Sequence, residues 1–443
     1  MKREFDAAAE AARHTALEVR ADYERRSEMR RATEAQWTLN ACFVAGRQFA
    51  EVTPVLGIDD APPDREWSER QAYNHIAPIL ETRLAKLAGV RPVMSVRPAS
   101  GSDEDFKTAE VSTKILSAVS ARLETENVIS RATLWSELTG TALYKVFWDK
   151  KTRDVCVTAV SPYEIFPDNL CAETMDDVRS LIHARALPVG EIADMYGVLP
   201  AAEEVEFAYP ERGSSRMLSD MRRIRPDGYA VLIERYERPS ADKPDGELLI
   251  TCGEHLLWSG PLPYMNGTDG SRTFPFVKQD ALPSAGMFFG QSMVERAIPL
   301  QRAYNAVKNR KHELINRLCG GVLAVEDGSV DTEELEAEGL RPGSVVVYRR
   351  GSSPPSMLEQ GGVPSALSAE ELRLEEEFNV ITGVSDIMRS STVPANANSG
   401  TAIQLLIDQD DSRLAITSDL IRSAVREVSR MVLRLYKQFA SGE

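Results

Sequence analysis

The stretch FFGQSMVERAIPLQRAYNAVKNRKHELINRL, residues 288–318, and the stretch EEFNVITGVSDIMRSSTVPANANSGTAIQLL, residues 376–406, decide how this chain is read. In the first, Ser292 followed by Glu295 is a capping-box pattern, in which each side chain satisfies an orphan backbone N–H at a helix start. Val294, Ile298, Tyr304, Val307, Leu314, Ile315 and Leu318 then recur at helical spacing. A helix is predicted over 291–318, about 40 Å long. Pro299 is expected to kink or restart it, and Gly320 and Gly321 to stop it. A second, Glu-rich helix is predicted over 365–383, ending at Gly383. Residues 386–400 have no apolar period and hold Pro, Asn and Ser, so they read as loop. A helical stripe resumes over 401–439 through Ile403, Leu406, Leu414, Ile421, Val428, Val432 and Leu435.

Between the two helices, residues 322–362 read as a small α/β insert. It holds a strand GVLAV (321–325), an acidic helix DTEELEAEG (331–339), a strand SVVVYR (344–349) and a Gly/Pro/Ser-rich return. Upstream, residues 6–49 read as a helix with Leu17, Trp37, Phe43 and Val44 among polar residues, a surface helix seeking a partner. Residues 50–72 read as loop, broken by Pro54, Pro62 and Pro63. A helix is predicted over 74–87, a strand at VMSVRP (93–98), and mostly helix through 104–148. After Gly140 the period turns to strands: ALYKVFWD and DVCVTAV form a hairpin around DKKTRD, and SPYEIFPD follows as a corner. Residues 172–225 are ambiguous apart from a short helix at EIADMYG (191–197). YAVLIERYER, ELLITC and HLLWSG read as strands. The fold class is α+β.

The net charge is −15 over 443 residues, and 43 % of them are apolar. The length suggests two or three domains, and the composition allows a sizeable core. Tight DNA binding through many phosphates needs an excess of Lys and Arg, which this chain lacks, although a path along which DNA slides does not. Cys42, Cys156, Cys171, Cys252 and Cys319 have no CxxC pairing and read as free thiols in a reducing compartment. The N-terminus has no apolar signal region, and no apolar run is long enough to span a bilayer, so the expectation is a soluble protein made in the cytoplasm. The chain has no GxxxxGK[ST] loop, no GxSxG elbow and no His or Cys pair at metal-ligand spacing, so neither enzyme activity nor a metal or other cofactor is expected. Asp408, Asp410 and Asp411 read as a solvated part of a helix ahead of a metal or acid/base cluster.

The chemistry that is present is charge segregation. Arg302, Lys308, Arg310, Lys311 and Arg317 make the first helix basic. Glu370, Glu371, Glu375, Glu376 and Glu377 make the second acidic. Two readings stay open: two solvated helix faces, or basic on acidic, within one hairpin or between neighbouring copies. The insert is acidic at Glu326, Asp327, Asp331, Glu333, Glu334, Glu336 and Glu338, a surface that serves solubility, meets a basic partner or repels phosphate.

The order of these pieces suits a ring-shaped channel, and an enzyme does not need it. It also resembles the portal proteins of tailed bacteriophages. YNHIAPILETRLAKLAGVRPVMSVRPA (73–99) resembles that family's early helix and strand, and TGTALYKVFWD with SPYEIFPD resembles its wing hairpin. FPFVKQDALPSAGMFFGQSMVERAIPLQRAYNAVKNR (274–310) resembles the lead into its first stem helix, and ITGVSDIMRS with SGTAIQLL the end of the second stem helix and the start of the wing helix. The resemblance implies an N-terminal wing region over 1–72, an α+β wing over 73–287, a first stem helix over 288–320 and a clip over 321–363. A second stem helix over 364–386, a tunnel loop over 387–400 and a long wing helix over 401–443 follow. The stop at Glu443 implies a crown that is very short or absent. The tunnel loop would present Arg389, Ser390, Ser391, Thr392, Val393, Pro394, Asn396 and Asn398, and the acidic clip residues would form a docking surface.

By the same resemblance the chain forms a homo-oligomeric ring, a dodecamer, at a capsid vertex of the virion. Double-stranded DNA passes through it during packaging and ejection. The implied partners are the terminase large subunit, head–tail adaptor or tail proteins, the major capsid protein and scaffolding protein. A scaffold or adaptor of the virion with no DNA channel is the alternative, and a hydrolase built on scattered carboxylates is more remote.

Overall fold

A computed structural model describes residues 2–55, 57–62, 70–90, 92, 94–203, 228–267, 269–320, 323–330, 346–357, 362–384, 408 and 412–440. The chain divides into two compact units, Met1–Ala61 with Asn74–Pro299 and Phe378–Glu443, and Pro62–Tyr73 with Leu300–Glu377. The described part mixes helix and strand, as the α+β reading expects.

The larger unit begins with α1 (Lys2–Val44), a hairpin of β1 (Ala50–Val52) and β2 (Ile58–Asp60), and three helices, α2 (Ile76–Ala88), α3 (Asp103–Arg122) and α4 (Thr125–Thr139). The hairpin lies where the prolines suggested loop, because its three-residue strands are too short to show alternation. No strand forms at 94–98. There follow β3 (Thr141–Asp149), β4 (Asp154–Val160), β5 (Ile165–Pro167), β6 (Ser180–Pro188), α5 (Val189–Tyr196), β7 (Tyr229–Glu237), β8 (Glu247–Cys252), β9 (His255–Gly260) and β10 (Phe276–Asp280). The corner read at SPYEIFPD is a 3-10 turn leading into β5.

These strands make two antiparallel sheets, β5–β6–β7–β8–β9 and β10–β3–β4. The β3–β4 hairpin turns at Lys150–Arg153, as its charged turn sequence predicts. β6 and β10 escaped the sequence reading. β6 opens as a continuous apolar run at Leu181–Ile182 and is broken by His183 and Arg185, whose partners are supplied by other strands. β10 is one short run on a sheet edge.

α1 finds its partner within its own chain. Val19 and Tyr23 pack with Phe166, Ile182, Val231 and Ile233 of the five-stranded sheet. Arg26 donates to the Phe166 and Ser180 carbonyls at 3.1 and 3.0 Å. Arg30, 1 % exposed, donates to the Pro162 and Tyr163 carbonyls and lies against the Phe166 ring. A polar-looking helix is thus half buried, because its arginines serve carbonyls that the sheet would otherwise leave unsatisfied.

The last helix, α8 (Ala415–Phe439), closes the other sheet. Ala424, Val428, Met431, Val432 and Leu435 pack with Ala142, Tyr144, Val146 and Val277 and with Leu116 and Val128 of α3 and α4. In this helix the 3.6-residue stripe coincides with the buried face.

Two helices run through both units: α6 (Met293–Gly320), continuous through Pro299, and α7 (Ser365–Thr382). The insert holds β11 (Leu323–Ala324) paired with β12 (Ser356–Met357). The partner of β11 therefore lies in the stretch read as a return, and residues 346–349 are not strand. The predicted acidic helix at 331–339 lies outside the described residues. Among the described residues Cys42, Cys156, Cys171 and Cys252 are free thiols, and no helix is long and apolar enough to cross a membrane.

Candidate functional site

The two long helices are the part of the chain whose geometry points to a role. Their ends in the larger unit meet at one residue. α4 must turn into β3 at Gly140, which takes φ +95°, and there it lies backbone to backbone with Gly290. A Cβ at Gly140 would sit 2.0 Å from the Gly290 carbonyl oxygen, so only glycine fits. Gly290 N–H donates to Thr141 Oγ1 at 2.7 Å. Ser292 Oγ donates to the Glu137 carbonyl at 2.6 Å and accepts from Val294 N–H at 3.0 Å. The helix is therefore capped by Ser292, through Val294 and not through Glu295 as the capping-box pattern implied.

The side chain of Glu137 holds the end of α7. Glu137 is fully buried and accepts from Arg83 Nε and Nη2 at 2.8 and 3.1 Å. Arg83 Nη1 donates to the Thr382 carbonyl at 2.9 Å. Thr382 is the last residue of α7, so its carbonyl has no partner within the helix, and a cation there also meets the negative end of the helix dipole. Glu137 thus fastens the start of α6 with its backbone and the end of α7 with its side chain. The sequence offered no signal for this, since Arg83 and Glu137 are 54 positions apart.

In the smaller unit, α6 turns a ladder of amides inward. Gln301, Asn305 and Asn309 recur every four residues and are buried. Gln301 Nε2 donates to the Tyr73 carbonyl at 2.7 Å, and Asn305 Oδ1 accepts from Tyr73 N–H at 3.1 Å. Asn309 Nδ2 donates to the Gln71 carbonyl at 3.0 Å and its Oδ1 accepts from Gln71 N–H at 3.1 Å. The segment 71–73 is held as an added strand would be, by side-chain amides in place of a backbone. The i, i+4, i+8 spacing of these amides is the signal for this contact that the sequence carries.

The charged faces meet in part. Lys308 and Lys311 both donate to Glu371, Lys311 Nζ at 2.7 Å. Tyr304 OH donates to Glu375 Oε1 at 2.9 Å. Burial would raise the Glu371 carboxyl, but the hydrogen bonds from Lys308 and Lys311 outweigh it and hold the group below the usual carboxylate range. The same bond raises Lys308. Burial and the bond to Glu375 push the Tyr304 hydroxyl up to about 12.

Other charges pair along their own helices. Arg310 lies 3.8 Å from Glu313, and Glu370 and Glu377 pair with Arg373. Arg302 and Glu376 are exposed. The Arg317 side chain, the clip residues Asp331, Glu333, Glu334, Glu336 and Glu338, and the whole tunnel-loop set Arg389, Ser390, Ser391, Thr392, Val393, Pro394, Asn396 and Asn398 lie outside the described residues, as do Asp410 and Asp411. Glu326 and Asp327 are exposed on the turn after β11, and Glu326 accepts from Ser353 N–H at 2.7 Å.

One polar cluster elsewhere in the larger unit was not anticipated. Lys145 on β3 donates to Glu234 on β7 at 2.5 Å, and His183 on β6 lies 3.1 Å from Glu234 and 3.2 Å from Glu164. Burial lowers Lys145, while Lys145, His183 and Arg185 together hold Glu234 low against its own burial. The cluster joins strands of the two sheets. Among the described residues no group of three or more His, Cys, Asp or Glu is placed to hold a metal ion.

The described family of phage P22-like portal proteins matches residues 64–443 of the chain. No curated protein matches it. The matched span covers both long helices, the insert between them and α8. The chain belongs to the phage P22-like portal protein family.

Proposed function

We propose that copies of this chain close into a dodecameric ring at the capsid vertex of a tailed phage, and that double-stranded DNA passes through the bore during packaging and ejection. The observation that carries the reading is the match to the phage P22-like portal protein family over residues 64–443. The geometry is consistent with it. Within the larger unit Glu137 fastens the start of α6 and the end of α7, and within the smaller one Lys308 and Lys311 join the two helices through Glu371, as paired stem helices over 288–320 and 364–386 require. Leu372, 62 % exposed, and Ile315, 36 % exposed, leave apolar surface on these helices for a neighbouring copy to cover.

In this reading residues 321–363 are the clip, with its carboxylates from Glu326 to Glu338 as the docking surface for the terminase large subunit and later for head–tail adaptor or tail proteins. Residues 387–400 are the tunnel loop, where Arg389 is the one side chain between Asp386 and Asp408 with a charge to offer phosphate. Major capsid and scaffolding protein are the ring's other partners at the vertex. The net charge of −15 fits a channel whose walls do not grip DNA, so that the duplex slides.

Electron microscopy of the purified chain, with mass measured under native conditions, tests the proposal. Closed rings with a central hole are expected. A stable compact dimer with nothing larger would sink the channel reading and leave a scaffold or adaptor.

A further inference from the structure

β10 is an edge strand of the sheet β10–β3–β4. Its register shows which backbone groups are already used. Val146 N–H donates to the Pro275 carbonyl at 2.8 Å and Ala281 N–H to the Gly140 carbonyl at 2.9 Å. With Val277 opposite Tyr144 and Gln279 opposite Ala142, the odd-numbered residues face β3. The N–H and C=O groups of Phe276, Lys278 and Asp280 therefore point away from it. Among the described residues no strand and no other backbone group pairs with them.

That outer edge lines a cavity of about 760 Å³, whose other walls include Glu173–Asp176 and the face of α8 at Ala424 and Met431. Asn266 lines the same cavity and is 2 % exposed, and neither its Oδ1 nor its Nδ2 has a partner among the described residues. A buried amide with both its donor and its acceptor unfilled matches a peptide group, which offers one of each. Five carboxylates line the cavity, those of Glu173, Asp176, Asp269, Asp280 and Glu427. Arg238 pairs with Asp176, Lys278 with Asp280 and Arg430 with Glu427, so among the described residues the uncancelled carboxylates are those of Glu173 and Asp269.

We infer that this cavity receives an extended basic peptide segment of another protein, which adds as a strand to β10 and fills the amide of Asn266. Main-chain bonds from Phe276, Lys278 and Asp280 supply affinity, and the excess of carboxylates selects a basic segment. The open edge and the unfilled amide carry the inference independently of any ring.

The test uses the full chain and a fluorescent peptide of alternating lysine and valine, with its glutamate–valine counterpart as control, read by anisotropy. Saturable binding of the basic peptide alone is expected. Lys278→Pro removes one outward N–H without touching the β3 ladder, and is expected to weaken binding about tenfold. Lys278→Ala keeps the N–H and loses only the amine, so it should bind at least as well as the parent chain. Asn266→Leu should weaken binding as Lys278→Pro does. Equal binding by the parent chain and Lys278→Pro, or no binding of the basic peptide, overturns the inference. So does self-association of the chain that Lys278→Pro abolishes, because the edge would then be filled by a second copy.

Discussion

Arg83 and Glu137 show how much of this molecule rests on single side chains. The pair is buried, bidentate and joined to a helix-end carbonyl, so removing one partner strands a charge in the core. Arg83→Met or Glu137→Gln is expected to cost about 3–5 kcal/mol, measured by chemical denaturation. The double change Arg83→Met with Glu137→Leu should cost clearly less than the sum of the two, because it strands no charge. If the costs simply add, the pair is not coupled. Nothing local in the sequence marks either residue: Arg83 sits within a helix of ordinary amphipathic pattern, and Glu137 looks like one more surface glutamate. Gly140 is different. Its position at the switch from helical to strand period was visible, but the reason it must be glycine, the backbone of Gly290 against it, comes from the folded chain.

The helices were legible because their periods are long and their ends are punctuated. α7 ends beside Gly383 at φ +69°, as a C-terminal glycine predicts. The pairing of their charges was not legible, since solvated faces and paired faces have the same sequence. The structure joins Lys308 and Lys311 to Glu371, and that contact has a pH signature. The Glu371 carboxyl is depressed in the folded chain, so its contribution to stability is full above the unfolded value of about 4.3 and is lost as pH falls through the folded value. A Lys308→Met, Lys311→Met chain should therefore lose less stability than the parent on acidification from about pH 5 to pH 3, followed by denaturation at each pH. A parallel loss in both chains would show that the contact does not contribute. The insert carries a second expectation at this scale. Deleting 326–340 should leave rings intact and abolish binding of the terminase or adaptor. Failure of the rings themselves would make the insert an assembly element first.

At the scale of the proposed ring, the segment to test is 387–400. If this loop lines the bore and resists backward slip, shortening 391–397 should leave rings and terminase docking unchanged and reduce the DNA retained in filled heads. Normal retention would reduce the loop to a connector. At this scale the sequence determined the class and order of the elements, a basic helix out, an insert, an acidic helix back and a long closing helix, because period, capping residues and glycine stops are local properties that act within a few residues. The family match spans residues 64–443, the part of the chain that holds these elements. Only the tertiary structure decided that α1 covers the sheet with buried arginines, that amides at 301, 305 and 309 hold residues 71–73, and that β10 is an open edge beside an unfilled amide. Each of these depends on a partner tens to hundreds of positions away, and residue type and spacing along a chain do not encode which distant backbone will present the missing donor or acceptor.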